Sequence, residues 1–218
     1  MLPFTLDQFI AVLVAYNQAI WPAQIVAYVI GLAMLGLFFR PGPAANRLIA
    51  GGLVLMWAWT GIAYHWLQFT TINRAAYGFA ALFVIQAAVL FYFGVMRNRL
   101  HFGLEYGAAA VLGAIFVVYA LLLYPLIGLW AGHVYPDSPI FGVTPCPVTI
   151  FTFGLLLMTT APIPWSVLVV PLLWSLVGGS AAFLLGIQQD WLLLVSGLIA
   201  VPVIVLHDRH GHAPTVAA

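Results

Sequence analysis

The feature that most constrains this chain is the length of its uncharged stretches. Residues 138–189 contain no Asp, Glu, Lys or Arg over 52 consecutive positions, and residues 8–39 and 48–71 are likewise uncharged. A helix that crosses a bilayer needs roughly 20 apolar residues. The longest stretch therefore has room for two membrane spans, and each shorter stretch has room for one.

The composition indicates lipid rather than water as the surrounding medium. Charged residues make up 5% of the 218 residues and hydrophobic residues make up 65%, whereas a soluble domain carries about 25% charged residues. We therefore expect the lipid bilayer to be the principal partner of the chain. The net charge of +1 gives no basis for nucleic-acid binding. The single cysteine, Cys146, excludes an intrachain disulfide.

These stretches predict an all-α, polytopic transmembrane bundle of about seven spans, which forms a single domain over residues 1–206. Residues 1–20 are predicted to form an interfacial amphipathic helix, because Thr5 and Gln8 have the spacing of a capping box. The alternative is that these residues are the first turns of span 1. Residues 21–206 hold the spans, and residues 207–218 form a cytoplasmic tail. We place the spans at about residues 22–39, 47–69, 73–96, 103–127, 147–161, 165–186 and 190–206.

The arginines predict the orientation of the bundle. With seven spans, five arginines fall on one side, and only Arg74 falls on the other. Because basic residues concentrate on the cytoplasmic side, we expect the N-terminus outside and the C-terminus inside. The first charged residue is Asp7 rather than a basic residue, so we expect the first apolar stretch to be retained and not cleaved as a signal peptide.

A weak internal similarity suggests that the bundle is built from two copies of three helices. Pro22, Ile25 and Tyr28 at the start of span 1 align with a proline, an isoleucine and a phenylalanine at residues 147, 150 and 153. Spans 1–3 and 5–7 would then be the copies, with span 4 as the linker in a 3+1+3 arrangement. Solute sites lie between the halves of such proteins. Chance similarity among apolar helices is the alternative.

Small residues spaced four apart, such as Gly103 and Gly107, are typical of close helix packing. We interpret these pairs as contacts within the bundle. A homo-oligomer that uses one of them is the alternative.

Several polar residues on the outer side are candidates for ligand binding. Trp57, His65 and Gln68 share one helical stripe, and His133 and Cys146 are expected at the same membrane depth. His65, His133 and Cys146 could together bind copper, zinc or mercury. The alternative is that the histidines are hydrogen-bonded within the bundle and that Cys146 packs as a small apolar thiol.

Glu105 is the only glutamate, and it lies at the inner start of span 4. An ionisable group there is a candidate ligand-binding residue. The alternative is a carboxylate that stabilises the helix N-terminus.

Three functions remain open from these residues. The first is binding or translocation of a small solute or ion through the bundle. The second is a non-catalytic accessory or assembly role, in which the outer loop of residues 128–146 docks a partner. The third is a membrane-embedded metal or redox protein that uses Cys146. The absence of lysine excludes a retinal Schiff base. No hydrolase or nucleotide-binding motif occurs, so we assign no catalytic residue and no cofactor.

Two parts of the sequence resemble a known family. The region 133–154 begins with His-Val-Tyr-Pro and ends with Thr-Pro-Cys-Pro-Val-Thr-Ile-Phe-Thr-Phe-Gly. The N-terminal part contains Leu-Asp-Gln-Phe at residues 6–9 and Tyr-Asn-Gln-Ala-Ile-Trp-Pro at residues 16–22. Both resemble an uncharacterised bacterial membrane-protein family, catalogued as a domain of unknown function. The resemblance implies a multi-pass protein of the bacterial inner membrane, with no known activity.

The span count is also similar to that of small sugar transporters built as three plus one plus three helices. Their paired Pro-Gln signature is absent here. The nearest equivalent is Pro22-Ala23-Gln24.

Overall fold

Helices make up the framework of the protein, and the part of the chain that the structure describes contains no extended strand. The computed structural model describes residues 3–104 and 107–210, apart from the side chains at 209 and 210. In these residues the chain forms α1 (Leu6–Ala19), α2 (Ala23–Leu37), α3 (Pro43–Thr71), α4 (Ala76–Met96), α5 (Ala108–Trp130), α6 (Pro145–Leu157), α7 (Ser166–Leu185) and α8 (Trp191–His210).

Five helical segments are long and apolar enough to cross a membrane: α3, α4, α5, α7 and the segment Gln188–Asp208, which includes most of α8. Helices α1 and α2 satisfy the same test only together, and their axes are bent by 82°. The prediction of an all-helical chain with several membrane-length helices is therefore confirmed. Length alone gives five or six spans rather than seven, because α6 has only 13 residues.

The N-terminal helix starts where the sequence predicts. The Gln8 backbone N–H donates to Thr5 Oγ1 at 3.3 Å, and the Thr5 backbone N–H donates to Gln8 Oε1 at 2.9 Å. This reciprocal pair satisfies backbone N–H groups that the first turn leaves without partners. The helix ends at Ala19, and α2 begins just after Pro22, which marks the sharp bend between the two helices.

Three of the long helices contain π-helical turns, at Thr60–Trp66 in α3, Phe91–Met96 in α4 and Tyr119–Leu123 in α5. Such wider turns are rare and often occur at functional sites. In α5 the sequence gives a reason for the π turn. Pro125 has no backbone N–H, so it cannot donate the α-helical hydrogen bond to the carbonyl four residues earlier. The π turns of α3 and α5 carry Tyr64, His65 and Tyr119, three polar side chains near the cavity described below.

Helix α6 is the centre of the bundle, and every one of its residues is buried. Trp57 Nε1 of α3 donates to Thr152 Oγ1 of α6 at 2.9 Å. On the other side, the Gly154 carbonyl lies so close to Gly113 of α5 that a Cβ there would be 2.6 Å from the oxygen. The two glycines therefore let the backbones of α5 and α6 approach each other.

The loop between α5 and α6 folds against the N-terminal helix. The Tyr16 hydroxyl donates to the Val143 carbonyl at 2.6 Å, and Asn17 Nδ2 donates to the carbonyls of Pro136 and Ser138 at 2.6 and 2.8 Å. Most residues from 138 to 144 are buried. This half of the loop is thus an internal packing element.

Helices α7 and α8 form a tight hairpin. Gly186 ends α7 with a φ of +71°, a conformation that glycine adopts without a steric cost. A Cβ at Gly179 would lie 2.9 Å from the Leu194 backbone nitrogen, so the two helices touch through their backbones. The turn of the hairpin, Gln188–Asp190, points toward α5 and carries the carboxylate around which the candidate site is built.

Candidate functional site

A single buried carboxylate, Asp190, lies between the helices. Its side chain is 2% exposed, and the Tyr124 hydroxyl of α5 donates a hydrogen bond to its Oδ1 atom. One turn away, the Tyr119 hydroxyl donates to the Gln189 carbonyl at 2.8 Å. Two tyrosines of α5 therefore hold the start of α8 in place. Within the described part of the chain, no basic side chain lies within 4.0 Å of this carboxylate.

A cavity of about 220 Å³ opens beside Asp190. Its wall is mainly apolar and includes six aromatic side chains from four helices or their flanking segments: Phe4, Phe9, Tyr64, Phe69, Phe79 and Trp174. Sites for drug-sized ligands enclose roughly 300–1,000 Å³ and combine an apolar wall with a few polar groups. This cavity has that character at a smaller size, which suits a small solute.

The polar end of the cavity also contains a thiol. Cys146 stands in the first turn of α6, lines the cavity and is 9% exposed. Its sulfur lies beside the Asp190 carboxyl group and the Trp174 indole. The Trp174 N–H has no acceptor with hydrogen-bond geometry among the described residues, although the side chain is only 8% exposed. Three polar groups thus meet at one end of a mainly apolar space.

The N-terminal segment closes one side of the cavity. Phe4 and Phe9 line it, and the Phe4 ring meets the Phe69 ring of α3 edge-on at 5.3 Å between centroids. Another part of the wall is formed by α7, whose lining residues Val177, Ser180 and Leu184 are exposed. The mouth of the cavity therefore reaches the exposed, mainly apolar surface of α7.

His65 lies behind this wall in a cage of aromatic rings. It is fully buried, and its ring centroid is 4.7 Å from that of Phe83 and 4.9 Å from that of Trp174. Neither ring nitrogen has a hydrogen-bond partner within the residues described. The side chain does not line the cavity itself, so it contacts the Trp174 wall from outside.

The structure does not bring the three predicted metal ligands together. His133 lines a second cavity of about 360 Å³ together with Gln24 and Tyr28, whereas Cys146 lines the first. His65 is enclosed by aromatic rings. Over residues 3–104 and 107–210, no group of three or more His, Cys, Asp or Glu side chains is arranged to hold a metal ion. A similar depth in the membrane does not bring side chains on different helices into contact.

The other predicted ligand residues have different surroundings. Trp57 is fully buried, donates to Thr152 and packs on the Phe83 ring at 4.5 Å, so it is part of the core of the bundle. Gln68 is half-buried near the end of α3 and does not line the main cavity. Glu105 lies outside the described residues. Among the predicted residues that the structure describes, only Cys146 lines the cavity beside Asp190.

Asp190 and its partner Tyr124 were not among the candidate residues predicted from the sequence, where residue 190 is only the approximate start of the last span. One signal could have identified it, because Asp190 is the only Asp, Glu, Lys or Arg between residues 138 and 207. An isolated carboxylate in a long apolar stretch is costly in a membrane and is therefore a candidate functional group. The partnership with Tyr124, 66 residues away, depends on helix packing and has no sequence signal.

Comparison with known protein families gives a match that covers almost the whole chain. Residues 6–214 match a family described as a family of unknown function (DUF6064). No curated protein and no solved structure matches the chain. The chemistry of the cavity is therefore the main source of information about function.

Proposed function

The chain belongs to the DUF6064 family of unknown function, and we propose that it is a membrane protein that binds a small, mostly apolar solute in the cavity beside Asp190. The observation that carries this proposal is an apolar cavity that ends on a buried carboxylate. An apolar wall supplies most of the contact area in ligand sites, and a few polar groups fix the orientation of the ligand.

The cost of burying Asp190 supports a role in binding. A carboxyl group inside an apolar bundle is unfavourable unless it has partners, and such groups in membrane proteins commonly mark solute or ion pathways. Here the protein supplies one hydroxyl donor, from Tyr124, and a neighbouring thiol, from Cys146. Hydrophobic residues at these positions would pack the same space without this cost. We therefore interpret the carboxylate as a group that is retained for a ligand.

We further propose seven membrane passes, formed by α2 to α8, with α1 lying at the outer interface. The bend of 82° between α1 and α2 supports an interfacial α1. Helix α6 is about 20 Å long, which is shorter than the hydrocarbon core of roughly 30 Å. Protein surrounds α6 completely, so its backbone and side chains do not have to match the thickness of the lipid.

We propose the bacterial inner membrane as the location, with the N-terminus outside and the tail of residues 207–218 inside. The arginine distribution of five against one supports this orientation. A C-terminal green fluorescent protein fusion should then fluoresce, and a C-terminal alkaline phosphatase fusion should be inactive. The opposite pair of results would reverse the orientation.

Binding is proposed as the first step of moving the solute across the membrane. The mouth of the cavity on α7 and its closure by α1 support entry from one side of the bundle. The 3+1+3 repeat, which would favour a transporter, stays a prediction, as does a homo-oligomer.

A cavity-filling substitution tests the proposed function. Ala181 lines the cavity and is half-buried, so Ala181→Phe should occupy the space where the solute binds. The matched control is Ala88→Phe, at an exposed position of α4 that does not line the cavity. We expect a screen of small apolar solutes to find compounds that raise the thermal stability of the native protein and of Ala88→Phe but not of Ala181→Phe. Stabilisation of all three proteins by the same compounds would contradict the proposal.

The two other functions stay predictions. For docking, the end of α5 and the loop that follows it offer Trp130, Val134 and Tyr135, which are 82%, 53% and 48% exposed. For redox chemistry, Cys146 is buried and is the only cysteine. Full function of a Cys146→Ser variant would end the redox interpretation, whereas the proposed solute site requires only a small polar group there.

A further inference from the structure

We propose that the solute of this site is an organic cation, a small alkyl or aryl ammonium ion, whose charge pairs with Asp190. The inference rests on the proposed function and specifies the class of its ligand. It is drawn from three features of the cavity: the carboxylate without a cationic partner, the aromatic wall, and the apolar mouth.

The first feature is the missing counter-charge. The groups that contact or neighbour Asp190 are neutral: the Tyr124 hydroxyl and the Cys146 thiol, with Tyr119 and Tyr64 farther off. None of the arginines and histidines in the described ranges forms an ion pair with Asp190. A buried carboxylate is stabilised most when a cation and hydrogen bonds both reach it. A bound ammonium ion would complete this environment.

The second feature is the aromatic wall. Six aromatic side chains line a cavity of about 220 Å³ that contains one carboxylate. The faces of aromatic rings attract cations, and rings of this kind form the cages that recognise alkylammonium groups. Phe4, Phe9 and Phe69 meet one another with centroids 5.3–6.3 Å apart, so this part of the wall is a continuous aromatic surface. An anion would meet the same faces and the carboxylate unfavourably.

The third feature is the apolar mouth on α7. The exposed α7 residues at the mouth, Val177, Ser180 and Leu184, offer one hydroxyl and no charged group to a solute that enters. A strongly hydrated inorganic cation would lose its water shell there without compensation. An ammonium ion on an apolar body retains favourable contacts along this path, which separates organic cations from metal ions as ligands.

A series of three ligands with the same body and different charge tests the inference. Benzylammonium, benzyl alcohol and benzoate share an aromatic ring and are a cation, a neutral molecule and an anion. Binding is measured by equilibrium dialysis of labelled ligand against the protein in nanodiscs, with the value for protein-free nanodiscs subtracted. We expect benzylammonium to bind about ten- to a hundredfold more tightly than benzyl alcohol, the range for interactions with a charged partner, and benzoate to bind most weakly.

Two variants test whether the charge of Asp190 causes the preference for benzylammonium over benzyl alcohol. Asp190→Asn keeps the shape and leaves an oxygen for Tyr124, and it should bring the affinity of benzylammonium down to that of benzyl alcohol. Asp7→Asn removes the same charge from an exposed position on α1 and should keep the full preference. Equal binding of the amine and the alcohol by the native protein would overturn the inference, and so would a preference that survives in Asp190→Asn.

The outcome also separates this inference from the proposed function. One outcome is that benzyl alcohol binds as tightly as benzylammonium and that Ala181→Phe abolishes this binding. The proposed solute site would then stand, and the inference that its ligand is a cation would be wrong. Absence of binding for all three ligands and for the wider solute screen would overturn both. The ligand series uses the unchanged protein, so it remains decisive even if Asp190→Asn does not fold.

Discussion

Helices α2 and α6 start with the same residue pattern but have opposite surroundings. Each begins with a proline near an isoleucine and an aromatic residue, at residues 22–28 and 147–153. In α2, Ile25, Val29 and Leu32 are 51%, 60% and 59% exposed, whereas every residue of α6 is buried. Similar apolar sequences can therefore face either lipid or protein.

The difference follows from what each helix packs against. In a bilayer, lipid tails are as apolar as leucine, so apolar side chains do not drive a helix toward the centre of a bundle. What distinguishes α6 is close contact with two neighbouring helices, through Gly154 to the backbone of α5 and through Thr152 to Trp57 of α3. Helix α2 presents large aliphatic side chains to its surroundings instead. The following three substitution pairs test whether this distinction is correct.

The largest difference is expected for leucine truncation. Leu155 of α6 is fully buried, so Leu155→Ala should leave a cavity and lower the free energy of unfolding by about 2–5 kcal/mol. Leu32→Ala in α2 removes a side chain that is 59% exposed and should change it by no more than about 0.5 kcal/mol. Unfolding in mixed micelles with increasing dodecyl sulfate measures both values. Similar losses for the two variants would show that α2 is packed as tightly as α6.

A medium difference is expected for the glycines. A Cβ at Gly154 would lie 2.9 Å from the Gly113 carbonyl oxygen and 3.0 Å from the Val117 nitrogen, and these backbone atoms cannot move aside independently. Gly154→Ala should therefore destabilise the protein by about 1–3 kcal/mol. Gly36 of α2 has nothing within 4 Å of such a Cβ, and Gly36→Ala should leave stability unchanged or raise it by up to about 1 kcal/mol. Thermal unfolding followed by circular dichroism distinguishes the two results, and a stable Gly154→Ala protein would contradict the close approach of α5 and α6.

The smallest difference is expected for a threonine hydroxyl. Thr152 Oγ1 accepts the hydrogen bond from Trp57, so Thr152→Val should cost about 0.6–1.7 kcal/mol, the range for hydrogen bonds between membrane helices. Thr70 bonds only to the Trp66 carbonyl of its own helix, and Thr70→Val is expected to have a smaller effect. The same unfolding titration is applied to Thr152→Val, to Trp57→Phe and to the double variant. The difference between the double variant and the sum of the two single variants measures the coupling between the two side chains. An additive double variant would show that the Trp57–Thr152 bond contributes nothing.

The local signals in the sequence were reliable guides to where helices begin and end. The capping box at Thr5 and Gln8, the break at Pro22 and the apolar stretches that become α3, α4, α5 and α7 are all confirmed. These signals depend on residues that are close in the chain. The candidate site was only partly predictable, because Cys146 lines the cavity whereas His65 and His133 do not. The sequence predicted a common membrane depth for these three residues, but metal ligands must also lie close together in the plane of the membrane.

The sequence alone determined that the chain is helical and apolar enough for a membrane, because uncharged stretches of this length cannot be hidden from water in a domain of this size. The tertiary structure decided which helix occupies the centre and which polar groups meet at the cavity. Asp190 and Tyr124 are 66 residues apart and are joined only by the packing of α8 on α5 and α6. In apolar surroundings, shape complementarity between helices decides such contacts, and hydrophobicity along one helix does not encode the shape of its neighbours.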